Sequence, residues 1–153
     1  MTDVVEVPTD DPRVAALRAA MGDEMADLYG RPRHGATAEQ IDPATVAVTV
    51  LATSDAGEPV GTAALRRVGV DVEVKRMYVV PGARGTGLAG RLLDVMEEHA
   101  VRLGAERILL HTGERQTAAL ALYRRRGYRE VPVFEPYLDV PESVCFARPA
   151  RSA

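Results

Sequence analysis

From Val46 the chain alternates, with Val46, Val48, Val50 and Ala52 separated by smaller or polar residues. A period of two predicts a half-buried strand. Ser54-Asp55-Ala56-Gly57 carries turn chemistry, Pro59 to Arg67 returns as a second strand, and Val70 to Val80 makes a third. Connections this short predict antiparallel pairing. Upstream the period changes to that of a helix. Val14, Leu17, Met21, Met25 and Leu28 share one face, after an Asp11-Pro12 pair that reads as a cap and a first-position proline. Gly30 ends that helix. Gly30 to Ala44 is the one long irregular stretch, a candidate substrate loop or a plain surface connection.

A second helical stripe joins Leu88, Leu92, Met96, Ala100 and Leu103, and Gly104 stops it. Arg107 to His111 is a short apolar strand, and a helical crossover places it parallel to the strand before the helix. A third helix runs roughly from Arg115 to Arg126 and ends at Gly127. Tyr128 to Phe134 and Ser143 to Ala147 read as closing strands. The expected result is a mixed sheet in a single α/β domain over residues 1–153.

Two irregularities carry chemistry. In the third strand Val70, Val72 and Val74 hold one phase, and then the apolar positions shift to Met77 and Val79. A phase change near Lys75-Arg76 predicts a β-bulge, which bends a strand and frees backbone groups from the ladder. Arg84-Gly85-Thr86-Gly87-Leu88-Ala89-Gly90 then leads into the second helix. The first turn of a helix has N–H groups without intrahelical partners and carries the positive end of the dipole. Glycines let a phosphate approach that backbone, and an arginine adds a fork of donors. The alternative is a tight strand–helix turn. The chain has no G-x-x-x-x-G-K-[ST], and its glycine run follows the third strand, whereas a dinucleotide fold wants it after the first.

Composition narrows the field. The 46% hydrophobic and 27% charged content is that of a globular chain, and a net charge of −3 gives no reason to expect nucleic-acid binding. No apolar run is long enough for a bilayer, and the acidic MTDVVEVPTDD start lacks the basic and apolar regions of a signal peptide. The expectation is a cytoplasmic protein without a membrane partner. The lone Cys145 reads as core packing. His34 and His99 have no partners at metal-ligand spacing, so no metal site is expected.

These residues resemble the GNAT superfamily of N-acetyltransferases. The family's acyl-CoA signature, Q/R-x-x-G-x-G/A, stands here as Arg84-Gly85-Thr86-Gly87-Leu88-Ala89. The preceding EVKRMYVVPGA is similar to its fourth strand, and ALALYRRRGY to its A-x-x-x-Y element, with Ala119 and Tyr123 in the fixed places. The likeness covers roughly Val46 to Phe146. A bacterial subgroup pattern, L-E-T-G-x-R-Q-x-x-A-x-x-L-Y, is similar to LHTGERQTAALALY, with His111 where glutamate is usual.

The resemblance implies a GNAT fold: a mostly antiparallel sheet with two central parallel strands splayed apart and helices on both faces. It implies acetyl-CoA as co-substrate, its diphosphate on Arg84 to Gly90 and its pantetheine arm along Met77, Tyr78 and Val79, with Gln116 nearby. The reaction it implies is acetyl transfer to a primary amine by direct attack in a ternary complex. A small-molecule acceptor leads; a protein N-terminus or lysine, and a non-catalytic CoA-binding sensor, are alternatives. Such relatives are often homodimers. A lysine-like amine must lose its proton at a cost of about 4–5 kcal/mol at pH 7. Glu73 and His111 are the candidate bases, Tyr123 the candidate proton donor to the leaving thiolate, and N–H groups near Tyr78 the candidate oxyanion donors. Tyr29, His111, Phe134 and Tyr137 are candidates for the acceptor pocket; Tyr29, Phe134 and Tyr137 could equally be ordinary packing.

Overall fold

The structure, a computed structural model, describes residues 2–30 and 42–151. Most of the candidate substrate loop, together with His34, lies outside the described residues. Seven strands form one sheet in the order β1-β2-β3-β4-β5-β7-β6. They are β1 Asp3–Glu6, β2 Val46–Thr53, β3 Pro59–Val68, β4 Asp71–Val79, β5 Arg107–Gly113, β6 Arg129–Val131 and β7 Ser143–Pro149. The helices are α1 Pro12–Tyr29, α2 Leu88–Arg102 and α3 Thr117–Arg125. Among the described residues, only β4 and β5 pair in parallel. The expected mixed, mostly antiparallel sheet with helices on both faces is what the chain builds.

The predicted punctuation is visible in the backbone. The Asp11 carboxylate accepts from the Arg13 N–H, Pro12 opens α1, and Gly30 closes it at φ 66°. Two strand expectations change. Residues 3–6 add an edge strand on β2, held by backbone pairing while three of its four residues stay exposed. β6 stops at Val131 because Pro132 brings no N–H to a ladder.

The sheet has two differently used faces. Val72 and Val74 of β4, Ile108 and Leu110 of β5, and Phe146 of β7 pack with Leu92, Leu93 and Met96 of α2 and Tyr123 of α3. On the other face Val14 and Leu17 of α1 pack with Leu51 and Tyr78. Even-numbered β4 residues thus face α2 before the bulge, and after it Met77 and Val79 do. The pairing records the extra residue: Ala64 faces Lys75, yet Thr62 faces Tyr78. Arg76 takes the left-handed φ of 54° inside that interval. The phase change read from the sequence is therefore a true bulge.

The tightest approach lies at the end of β5. A Cβ on Gly113 would sit 1.6 Å from the Tyr29 hydroxyl, and Tyr29 is buried. The ring end fills the space that only a glycine leaves. Gly113→Ala should therefore lower stability by about 1–3 kcal/mol, read as a lower urea midpoint at unchanged m value. An unchanged midpoint would show that Tyr29 moves aside at no cost.

Candidate functional site

β4 and β5 stay paired only from Val72/Ile108 through Val74/Leu110. Beyond that point the β5-facing edge of β4 has no strand partner among the described residues, although β4 continues to Val79 and β5 to Gly113. A cleft of about 600 Å³ lies at this parting. Met77, Tyr78 and Val79 line it from β4, Met21, Glu24 and Met25 from α1, and Gln116, Leu122 and Tyr123 from α3 and its cap.

The glycine run forms one end. Gly85, Gly87, Leu88, Ala89 and Gly90 line the cleft with Arg84. Gly87 caps α2 at φ 85° with no side chain supplying a cap hydrogen bond. A Cβ at Gly85 or Gly87 would meet no atom within 4 Å, so both backbones are open to approach. Uncapped donors, a helix dipole and open glycines fit a diphosphate, the chemistry required of an acyl-CoA site. Thr86 is absent from the lining; its hydroxyl donates to the Ala83 carbonyl at 2.6 Å.

Tyr123 forms the inner wall. It is 6% exposed, edge-on to Tyr128 and Phe146. Burial pushes its hydroxyl up to about 12, so it keeps its proton at neutral pH.

Behind the parting lies a polar cluster. Lys75 and His111 are the first residues beyond the last β4–β5 pair. Tyr137, from the β6–β7 connection, joins them: its ring stacks on His111 at 3.7 Å, and Lys75 Nζ donates to its hydroxyl. That hydroxyl donates to Glu73 Oε2 at 2.7 Å, while Arg66 Nε donates to Oε1 at 2.7 Å. Burial, then Glu73, pushes the Tyr137 phenol far above its ordinary range. The Ser143 hydroxyl donates to the Val140 carbonyl at 2.8 Å and lies 2.9 Å from His111 Nε2. With the Ser143 proton committed to Val140, the Ser143 oxygen is placed to accept from His111 Nε2–H.

Comparison with known proteins settles the kinship. A model of the Acetyltransferase (GNAT) family matches residues 14–128. The chain belongs to that family. It is 42% identical over 77 residues to an IAA acetyltransferase of Azospirillum brasilense, covering 50% of each chain. It is 35% identical over 99 residues to the uncharacterized N-acetyltransferase YhfO of Bacillus subtilis, covering 60% of this chain and 66% of that one. The matches thus span from half to just under two thirds of those relatives' lengths. A crystal structure from Klebsiella pneumoniae, of a protein proposed to be an acyl-CoA N-acyltransferase, superposes with a TM-score of 0.84 at 32% identity over 99% of both chains. A GNAT acetyltransferase from Elizabethkingia anophelis, solved with acetyl-CoA bound, shares the fold at a TM-score of 0.71 and 17% identity, covering 97% of each chain.

Within this GNAT domain the sequence-derived candidates divide. Met77, Tyr78, Val79, Arg84, the glycines, Gln116 and Tyr123 meet at the cleft. Glu73, His111 and Tyr137 meet in the polar cluster, with Phe134 edge-on to Tyr137 at 5.7 Å, and none of these four lines the cleft. Tyr29 lies at the end of β5, its hydroxyl 3.4 Å from the Arg115 N–H. Sequence reasoning missed Arg66, Lys75 and Glu24. Glu24 accepts from Tyr78 Oη at 2.9 Å and pairs with Arg84 at 2.7 Å. The alternation of β4 puts Lys75 beside Glu73 and could have flagged it; nothing local flags Glu24 on a half-buried turn of α1.

Lys75 gives a pH signature. Burial lowers its pKa from 10.5 to about 8, against the opposing pull of Glu73. Between those values the unfolded chain holds the proton and the folded chain does not, so this group's contribution to stability rises with pH across the window. Relative to Lys75→Met, the wild type should gain on the order of 3 kcal/mol from pH 8 to 10.5 in urea denaturation. A difference between the two proteins that stays flat with pH would refute a buried, cation-penalised Lys75.

Proposed function

We propose that this single-domain chain transfers an acetyl group from acetyl-CoA to a primary amine of a small molecule, by direct attack in a ternary complex. The observation that carries the reading is one continuous cleft joining the open glycine start of α2 to the buried Tyr123 hydroxyl through the unpaired edge of β4. When bound, acetyl-CoA supplies the thioester and its acetyl group.

The chain's own residues then have distinct tasks. Backbone N–H groups from Gly85 to Gly90 hold the diphosphate, with Arg84 beside them. Met77, Tyr78 and Val79 offer the unpaired strand edge to the pantetheine amides and N–H donors to the acyl oxygen. Gln116, at the N-cap of α3, holds the arm from the other wall. Tyr123, kept protonated by burial, gives its proton to the departing sulfur. The base function belongs to the Glu73–Tyr137–His111 cluster. Glu73 is ion-paired with Arg66 and accepts from Tyr137, so both its oxygens are engaged, whereas His111 lies at the open end of the parting with an imidazole suited to proton transfer. We assign proton removal to His111 and the orientation of Tyr137 to Glu73. Tyr29, Phe134 and Tyr137 form the acceptor's apolar surroundings.

Acetyl-CoA at a hundredfold excess over its dissociation constant should stabilise the fold by about 2.7 kcal/mol in a thermal-shift titration. No stabilisation by any acyl-CoA would end this reading. Tyr123→Phe should lower kcat by about 100-fold in a thiol-release assay while keeping that thermal shift. Undiminished turnover would remove Tyr123 from the proton path, and binding without turnover of any amine would favour the sensor alternative.

A further inference from the structure

α1 puts four residues on the cleft wall, Met21, Glu24, Met25 and Leu28, and Glu24 is the polar one. Its carboxylate joins two other lining residues. Tyr78 Oη donates to Oε2 at 2.9 Å, and Arg84 Nη2 donates to Oε2 at 2.8 Å and lies 2.7 Å from Oε1. The Arg84 guanidinium also sits 5.7 Å from the Tyr78 ring centre, and its Nε donates to the Val79 carbonyl at 3.0 Å. One carboxylate thus ties α1 to the unpaired end of β4 and to the turn that opens α2.

That turn has few other anchors. Gly85 and Gly87 take left-handed φ values of 77° and 85° and bring no side chain. The Thr86 hydroxyl folds back on the Ala83 carbonyl. Among the described residues, Arg84 is the one polar side chain of residues 84–87 that reaches another element. Tyr78 is the matching case in the strand. Its ring is buried against Val14 and Leu17 of α1 and Leu51 of β2, while its backbone lies on the edge that β5 has left. Burial, and then the bond to Glu24, raise its hydroxyl above the ordinary phenol range, so it stays a donor to the carboxylate.

We propose that Glu24 is a positioning residue for acetyl-CoA: through Arg84 and Tyr78 it holds the glycine turn and the free edge of β4 at the spacing that one cofactor spans. The proposal rests on the acyl-CoA reading of the cleft and deepens it by adding an α1 residue that acts through two others. The sign of the effect separates it from simple electrostatics. Coenzyme A is a polyanion, so a carboxylate beside its site repels it, and removing that charge should tighten binding. A strap predicts the opposite. Donors already aligned need no ordering when the ligand arrives, and loosening them adds that cost.

The test is a calorimetric titration of coenzyme A into the intact protein. Glu24→Gln keeps the side chain's length and one acceptor for Tyr78 but loses the ion pair; it should weaken binding fivefold or more. Asp23→Asn removes the same charge from the neighbouring exposed residue and should not weaken it. On an Arg84→Gln background, Glu24→Gln should add less than a twofold further loss, because the strap is already cut. In thiol-release kinetics the loss should fall on the KM for acetyl-CoA rather than on kcat. Tighter binding by Glu24→Gln would make Glu24 a competitor of the phosphates for Arg84 and overturn the proposal. An equal loss in both backgrounds would also overturn it, as the mark of general destabilisation. Wild-type binding that Glu24→Gln leaves unchanged sinks the proposal and keeps the acyl-CoA reading; a wild type that binds no acyl-CoA sinks both.

Discussion

One extra residue in β4 is the constraint on which the site depends. Before Arg76 the α2 face receives Val72 and Val74; after it, Met77 and Val79. A period-two strand cannot make that exchange without a bulge. The same residue re-aims the strand, so that pairing with β5 ends at Val74/Leu110. Without the exchange, Met77 and Val79 would lie on the α1 face with Glu73 and Lys75, and the cleft would lose its β4 wall. The left-handed conformation at Arg76 is unfavourable for a residue with a Cβ, and it persists because the flanking pairs Ala64/Lys75 and Thr62/Tyr78 fix both ends.

Where two strands part, a sheet leaves polar backbone and space that something must fill. Tyr137 does part of this from outside the sheet. Its ring covers His111, and its hydroxyl ties Lys75 to Glu73 across the α1 face. The arrangement buries a carboxylate at 0% exposure, which is tolerable only because both oxygens accept charge-assisted or phenolic hydrogen bonds. Such clusters seldom add net stability over an apolar core, and removing one member strands the others. The cluster is therefore better understood as fixing geometry at the parting than as holding the sheet together.

The division between what was legible and what was not follows from range. The bulge, the glycine helix start and the helix caps are local patterns of a few residues, and each reads directly from the alternation of Val70 to Val79 or the spacing of Gly85, Gly87 and Leu88. β1 was illegible because three of its four residues are exposed; edge pairing with β2, rather than an apolar stripe, holds it. The assembly of Arg66, Glu73 and Tyr137 joins residues 64 positions apart, and no period within one element encodes such a contact. Glu24 is the sharpest case: on α1 it is one acid among several, and only the packing of α1 over Tyr78 brings it to Arg84.

That last contact changes how the proposed anion cradle would work. Arg84 is held by the Glu24 carboxylate and by the Val79 carbonyl, the latter at 3.0 Å from Nε. Its charge is thus largely balanced before any phosphate arrives. In the proposed acetyl-CoA complex the attraction for the diphosphate comes instead from the uncapped first turn of α2, where no side chain competes for the N–H groups. Backbone donors are fixed in direction by the helix itself and need no rearrangement to meet an anion. Arg84, fastened to α1 and to the end of β4, acts on this arrangement as a brace that keeps the glycine turn in line with the strand edge. The family signature residue and the proposed phosphate-binding groups are neighbours here, and in that proposal the larger share of the anion's stabilisation falls to the backbone.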